Sequence, residues 1–359
     1  MPRPIHHTRP RPGLKAVLMA LAAGCAAAPW AGAADLSVSA YKDVSLSIDT
    51  SRPGIATAVA DGAAMVLLPG PAGRLPAGLK SLIWSFATGE CGQELWGAFD
   101  TAEFARLNVA AFAKARVPYF VATGGQAGTF TCASDAGMAR LVRRYDSPQL
   151  LGFDFDIEGA QTEAQISSLM QRIRKLQLRR PALIWRFTLA THAASDGSGR
   201  SLNATGQAVL AAIQQAGIEG AIINLMVMDY GPADASVCVV HPSGHCDMGA
   251  SALQAALNLH ERHGVPLNRI ALTAMLGVND VRENSFSLDD ARRMAQEARA
   301  HGLAGVHFWS LDRDRACEPA LTGSVSPVCH GLPGLQPLDF ARALVRGAVR
   351  GSVRANHER

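Results

Sequence analysis

Apolar and polar positions along this 359-residue chain change period repeatedly, and each change marks an element. Short apolar runs at 37–44, 81–86, 118–122, 150–159, 182–190, 220–228, 270–275 and 305–309 predict strands. Between them, apolar positions recurring every three or four residues predict helices over 104–115, 135–145, 162–176, 204–216, 249–263, 288–301 and 337–345. The stretch between the first two strands is polar and Gly-rich. Strand and helix alternate at intervals of roughly 30–50 residues, which is the pattern of a parallel sheet with crossover helices. Eight such units in one chain predict an α/β fold, a single-domain (β/α)8 TIM barrel. A doubly wound open sheet is the structural alternative.

The fourth strand carries the most unusual pattern: Leu150-Leu151-Gly152-Phe153-Asp154-Phe155-Asp156-Ile157-Glu158-Gly159. Side chains alternate across a strand, so Asp154, Asp156 and Glu158 share one face while Phe153, Phe155 and Ile157 share the other. Two residues of strand advance about 6.5–7 Å, so the three carboxylates form a column. Carboxylates this close disfavour one another's charge, an arrangement suited to handling protons. An edge strand with a wet acidic face is the plainer reading, but the leading Leu150 and Leu151 argue for burial on both sides.

In a barrel of this kind the active site lies at the C-terminal ends of the strands. Strand two ends at Ser85-Phe86, strand three runs into Gly124 and Gly125, and strand six ends in Met226-Val227-Met228-Asp229-Tyr230. Strand seven ends at Met275 and strand eight at Trp309. Glycines there permit close approach by a ligand or a neighbouring backbone. Singly, Trp309 and the methionines would be packing residues and the glycines a turn. Together at one barrel mouth, acids, a phenol, thioethers and an indole suit a sugar.

Charge alters the picture little. The formal net charge is +4, but residues 1–33 hold Arg3, Arg9, Arg11 and Lys15 and no acid, so the remainder is near neutral. Nucleic acid is therefore not an expected partner. The basic start, the Ala-rich apolar run 16–28 and Ala31-Gly32-Ala33 have the form of a secretory signal, with maturation near Ala34. The run is short for a membrane span. Cys25, in Ala22-Ala23-Gly24-Cys25, offers lipid anchoring as an alternative. Setting Cys25 aside leaves six of the seven cysteines. In an exported chain, proximity favours the disulfides Cys91–Cys132, Cys238–Cys246 and Cys317–Cys329. Zinc held by Cys238, His241, His245 and Cys246 is the rival reading, although there is no Cys-x-x-Cys. No metal or cofactor is expected. The organisation read here is a leader over 1–33, a barrel over 34–345 and a basic tail over 346–359. In the tail region Arg342, Arg346, Arg350 and Arg354 would form one solvated helical face, weakened by Gly347 and Gly351.

Asp154-Phe155-Asp156-Ile157-Glu158 resembles the end of the Asp-x-x-Asp-x-Asp-x-Glu signature of family 18 glycoside hydrolases, the chitinase family. Thr123-Gly124-Gly125 is similar to the family's Ser-x-Gly-Gly region. Met226-Val227-Met228-Asp229-Tyr230 is similar to its Met-x-Tyr-Asp region, and Trp309 to the Trp that floors its cleavage subsite. Two positions depart: Leu151 stands where the signature begins with Asp, and Met228 where the family has Tyr, which leaves Tyr230 as the nearest phenol. The resemblance implies a secreted, monomeric chitinase that cuts β-1,4 bonds between N-acetylglucosamine units by substrate-assisted retaining hydrolysis. It implies Glu158 as proton donor, Asp156 as acetamide clamp and Asp154 as a buried proton partner. Trp309, Tyr230, Asp229, Met226, Gly124, Gly125, Phe86 and Met275 would meet the substrate. The short interval between Met275 and Leu288 leaves no room for the α+β insertion found in some members, which implies an open cleft and endo-type cutting. Alternatives are an endo-β-N-acetylglucosaminidase on N-glycans or other N-acetylglucosamine polymers, a chitin-oligosaccharide lectin, and a two-carboxylate glycosidase using Asp229 or Asp312. The intact Glu158 weighs against the lectin.

Overall fold

Side-chain alternation along eight strands divides the protein into two buried layers. The strands are β1 (Val38–Asp43), β2 (Ser81–Ala87), β3 (Tyr119–Gly124), β4 (Leu150–Asp156), β5 (Ile184–Ala190), β6 (Ile222–Met226), β7 (Ile270–Met275) and β8 (Gly305–Trp309). All pair in parallel with their sequence neighbours, and β8 returns to β1 to close the barrel. The computed structural model describes Met1 and residues 36–46, 54–57, 65–66, 75–318 and 325–349. The barrel lies within Ala34–Arg359. The expected leader, Cys25, Arg350, Gly351 and Arg354 lie outside the described residues.

Helices α1 (Thr101–Ala115), α2 (Asp135–Tyr145), α3 (Glu163–Gln177), α4 (Ala204–Ala216), α5 (Met248–His263), α6 (Leu288–Ala300) and α7 (Asp339–Ala348) follow β2 to β8 in turn. Cap chemistry explains several boundaries. Asp100 accepts from Glu103 N–H at 2.8 Å, so α1 starts three residues before its apolar periodicity does. Thr162 with Gln165 and Ser287 with Asp290 form capping boxes on α3 and α6. Helix α7 runs to Ala348, beyond the expected boundary at 345. Gly347 is why it can: a Cβ there would lie 2.7 Å from the Arg292 carbonyl, so the glycine lets α7 sit close on α6.

The outward strand faces pack under the helices. Phe153, Phe155, Trp185 and Phe187 are all buried there, and Phe155 stacks on Trp185 and Phe187 at 6.3 and 5.7 Å. The inward faces fill the barrel with a mixed layer. Tyr41, Ile83, Phe120 and Ala122 form an apolar cluster against which Leu151 and Ile184 pack. A register shift between Tyr119 and Phe120 on the strand paired with β4 accompanies this packing. Leu151, where the family signature begins with Asp, therefore contributes to the apolar part of this interior layer.

All three expected disulfides form: Cys91–Cys132, Cys238–Cys246 and Cys317–Cys329. The second occupies both sulfurs that the zinc reading required. Among the described residues, no helix is long and apolar enough to cross a membrane.

Candidate active site

Asp154 and Asp156 end β4, facing Arg186 and Thr188 of β5 in register. The strand stops at Asp156, shorter than expected, but Ile157 N–H still donates to Thr188 O at 3.1 Å. The extended path continues, so Glu158 remains on the acidic face before Gly159 turns the chain at φ +122°. The three acids thus stand in file from the barrel interior to its mouth.

Asp154, at the bottom, is fully buried and well supplied with donors. Tyr41 OH donates to its Oδ2 at 2.5 Å and Thr188 Oγ1 to its Oδ1 at 2.6 Å, with Arg186 Nη1 3.5 Å from Oδ2. Asn224 Nδ2 donates to Tyr41 OH and Thr188 Oγ1 at 3.0 and 2.9 Å, which orients both hydroxyls towards the acid. Burial, reinforced by the Asp154 charge, pushes the Tyr41 phenol well above its ordinary range, so it remains a donor. The Arg186 guanidinium also lies 4.1 Å over the Phe120 ring. No hydrogen bond links Asp154 to Asp156, because hydroxyls from β1 and β5 take the Asp154 oxygens first.

Asp156 is the contrast. It is buried, and its Oδ1 has no hydrogen-bond partner. Burial first, then the charges of Glu158 and Asp154, push its carboxyl well above the usual carboxylate range. Glu158 is exposed to the open cleft, yet the walls crowd it enough to disfavour its charge. Burial, then Asp229 and Asp280, raise its carboxyl too. Asp229 is raised in turn, by burial and then Asp280, against the Val281 N–H that it accepts at 2.7 Å. Asp229 holds a left-handed backbone at φ +54°, which Asp tolerates better than most side chains.

A cleft of about 400 Å³ opens over this column. Asp156, Glu158, Asp229, Met226, Met275, Phe86 and Trp309 all line it, gathered from five strand ends. Phe86 and Trp309 stack at 5.4 Å, and Tyr41 meets Trp309 edge-on at 6.1 Å, so one wall is a continuous aromatic surface. The Ser85–Phe86 and Trp309–Ser310 peptides are cis.

Three expected contacts are absent from the lining. Gly124 and Gly125 serve neighbours instead. A Cβ on Gly124 would stand 2.0 Å from the Asp156 carbonyl, and one on Gly125 would stand 2.8 Å from the Phe86 ring. Tyr230 is also off the lining, its hydroxyl buried without a partner. Met228 lines the cleft where the family has Tyr. The phenol that does line it is Tyr41, from β1. Its inward parity with Ser39 was readable in the sequence, but only barrel closure brings β1 across to Asp154. Asp280 and His192 also line the cleft unforeseen, since both sit on loops without periodicity. Asp312, the other acid considered as a partner, is buried against Lys42 Nζ at 2.9 Å and does not line the cleft.

No family model matches the chain. A probable bifunctional chitinase/lysozyme from Escherichia coli is 30% identical over 269 residues, covering 68% of this chain and 28% of that protein. Endochitinase 11 of Metarhizium anisopliae is 29% identical over 245 residues, covering 62% of this chain and 44% of that one. The chain thus spans less than half the length of either curated relative. Among solved structures, the catalytic domain of a hyperthermophilic chitinase from Pyrococcus furiosus shares the fold with a TM-score of 0.63 at 20% identity, covering 88% of this chain and 95% of that one. With the acidic strand-four motif at the mouth of a closed eight-stranded barrel, the chain is thus similar in sequence to two chitinases and shares the barrel of a third.

Proposed function

We propose that the chain is the catalytic part of a secreted chitinase that cuts β-1,4 bonds between N-acetylglucosamine units, with the substrate's own acetamide as nucleophile. The observation that carries this reading is the graded column: a saturated Asp154, a raised Asp156 and a raised Glu158 beneath an aromatic-walled cleft. A proton donor works best when it holds its proton near working pH, and the acids around Glu158 favour that. The relatives' names, chitinase/lysozyme and endochitinase, agree with this chemistry, and the three disulfides agree with an exported chain.

In this scheme Glu158 gives its proton to the glycosidic oxygen as the bond to the anomeric carbon breaks. The 2-acetamido oxygen closes on that carbon, forming an oxazolinium ion. Asp156 accepts from the acetamide N–H and offsets the positive charge. Glu158, now a carboxylate, takes a proton from the water that reopens the ring, with retention. Asp154 acts from below, holding Tyr41 in place. The open cleft suits cutting within a chain.

The test is turnover of chitin oligosaccharides by the purified chain and by Glu158→Gln. The variant should bind oligosaccharide with nearly unchanged affinity and hydrolyse it no faster than background. Wild-type rates from Glu158→Gln would refute the assignment. Product sizes from a long oligomer separate internal cutting, which yields mixed lengths early, from release of one size off a chain end.

A further inference from the structure

Helix α4 begins at the rim of the cleft, and beside its first turn lies a second cavity of about 200 Å³. His192 and Asn203 line both cavities, so the two adjoin. The smaller one is bordered by Arg200, Ser201, Arg262 and His263, and no carboxylate lines it. Its volume is about half that of the cleft, enough for a substituent group.

Several independent features mark it as built for negative charge. Ser201 lines it at 2% exposure with its Oγ unpartnered, and a buried hydroxyl is costly to leave so. His192 Nδ1 is likewise buried and unpartnered. At the head of α4, Asn203 Oδ1 accepts from Gly206 N–H at 2.8 Å, while the N–H groups of Ala204 and Thr205 have no acceptor within the helix. Arg200 and Arg262 make no ion pair with a carboxylate among the described residues, and Arg262 donates only to Ser198 O at 2.9 Å. Asp196, exposed on the same loop, accepts from Ser198 N–H and feels the Arg200 charge without forming an ion pair with it or lining the pocket. Burial, and then Arg200 and Arg262 respectively, hold His192 and His263 below the usual imidazole range, so the local field is positive.

We propose that this pocket binds a carboxylate carried by the glycan in the adjoining cleft, which makes the preferred substrate an anionic N-acetylglucosamine glycan, such as one bearing carboxyalkyl ethers on its sugars. This rests on the glycosidase reading of the cleft. The arginines and α4 recognise the anion at a distance from the reacting bond, so they select the substrate without entering the chemistry.

The experiment compares a neutral N-acetylglucosamine oligosaccharide with one of equal length carrying lactyl ethers on alternate sugars. Wild-type protein should favour the carboxylated oligomer in kcat/KM. The variant Arg200→Ala/Arg262→Ala should lose about tenfold on it, chiefly through KM, and stay within twofold on the neutral one. Arg200→Ala alone, which leaves the Arg262 bond to Ser198 in place, should show the same selective loss in smaller degree. Equal losses on both oligomers would mean a structural role and overturn the proposal, as would no loss on either. If wild type hydrolyses neither oligomer, the glycosidase reading fails. Calorimetric binding of both oligomers to Glu158→Gln then decides the pocket: arginine-dependent preference for the carboxylated one upholds it, and equal binding rejects it. Inorganic phosphate is the control for a free anion. Arginine-dependent phosphate binding without any gain for the carboxylated oligomer would also reject the proposal.

Discussion

The two faces of β4 share one backbone and one degree of burial, yet they do opposite work. Outward, Phe153 and Phe155 stack on the aromatics of β5 in a layer with no ionisable group of their own strand. Inward, Asp154 and Asp156 meet Arg186, Thr188 and Tyr41. The outer layer lowers the free energy of the fold by area and close packing. The inner one must satisfy each polar group in turn, and at Asp156 it leaves one oxygen unsatisfied. That oxygen belongs to a residue that lines the cleft, where a ligand group can reach it. Both acids are buried, and hydrogen-bond saturation is what separates Asp154 from Asp156.

Substitutions on the two faces of β4, and at the groups around its acids, should have unequal effects. Glu158→Gln should lower kcat by roughly 10²–10⁴-fold or more, with the melting temperature little changed because the residue lies in the open cleft. Phe155→Ala, on the opposite face, should do the reverse. It should cost about 3–5 kcal/mol of stability, read as a fall in denaturant midpoint at constant m-value. Its kcat, measured well below the unfolding range, should stay close to wild type. A large loss of kcat there would erase the distinction between the faces.

Tyr41→Phe removes the donor to Asp154 and leaves one Asp154 oxygen with Arg186 as its remaining neighbour. It should cost about 1–3 kcal/mol in thermal or denaturant unfolding and lower kcat as well, since Tyr41 belongs to both the network and the cleft. The gentlest test is Asp280→Asn. The Asp280 charge raises Glu158, so removing it lets Glu158 lose its proton at lower pH. The alkaline limb of the pH–rate profile should therefore move towards acid, with little change at the acid end. A shift towards alkali, or none, would separate Glu158 from that limb.

Much of this was legible in the chain. The alternation Phe153-Asp154-Phe155-Asp156 declared a strand buried on both sides, and the regular spacing of eight apolar runs declared a barrel. The helices at 135–145 and 204–216 and the strands at 270–275 and 305–309 fall where their periodicity put them. Capping moved α1, and the closing contact on α6 moved the end of α7, because both depend on single polar or small residues that periodicity does not register. At the site, the shifted motif around Met228 was misleading about Tyr230. A sequence offset of two residues along an irregular loop carries no information about direction, and the loop turns that phenol into the protein away from the cleft lining.

What the sequence by itself determined was the local order of things: which residues alternate, which acids share a face, which cysteines lie near enough to join. These follow from backbone geometry and short-range sterics, which act over a few residues. Only the closed barrel decided which distant side chains meet. It brought Tyr41 of β1, 113 residues away, to Asp154, and saturated that acid while leaving Asp156 bare. It also joined Arg200 and Arg262 across one small pocket beside the cleft. Hydrogen bonds and charges act through space over a few ångströms, so their partners are set by closure of the sheet and not by position along the chain.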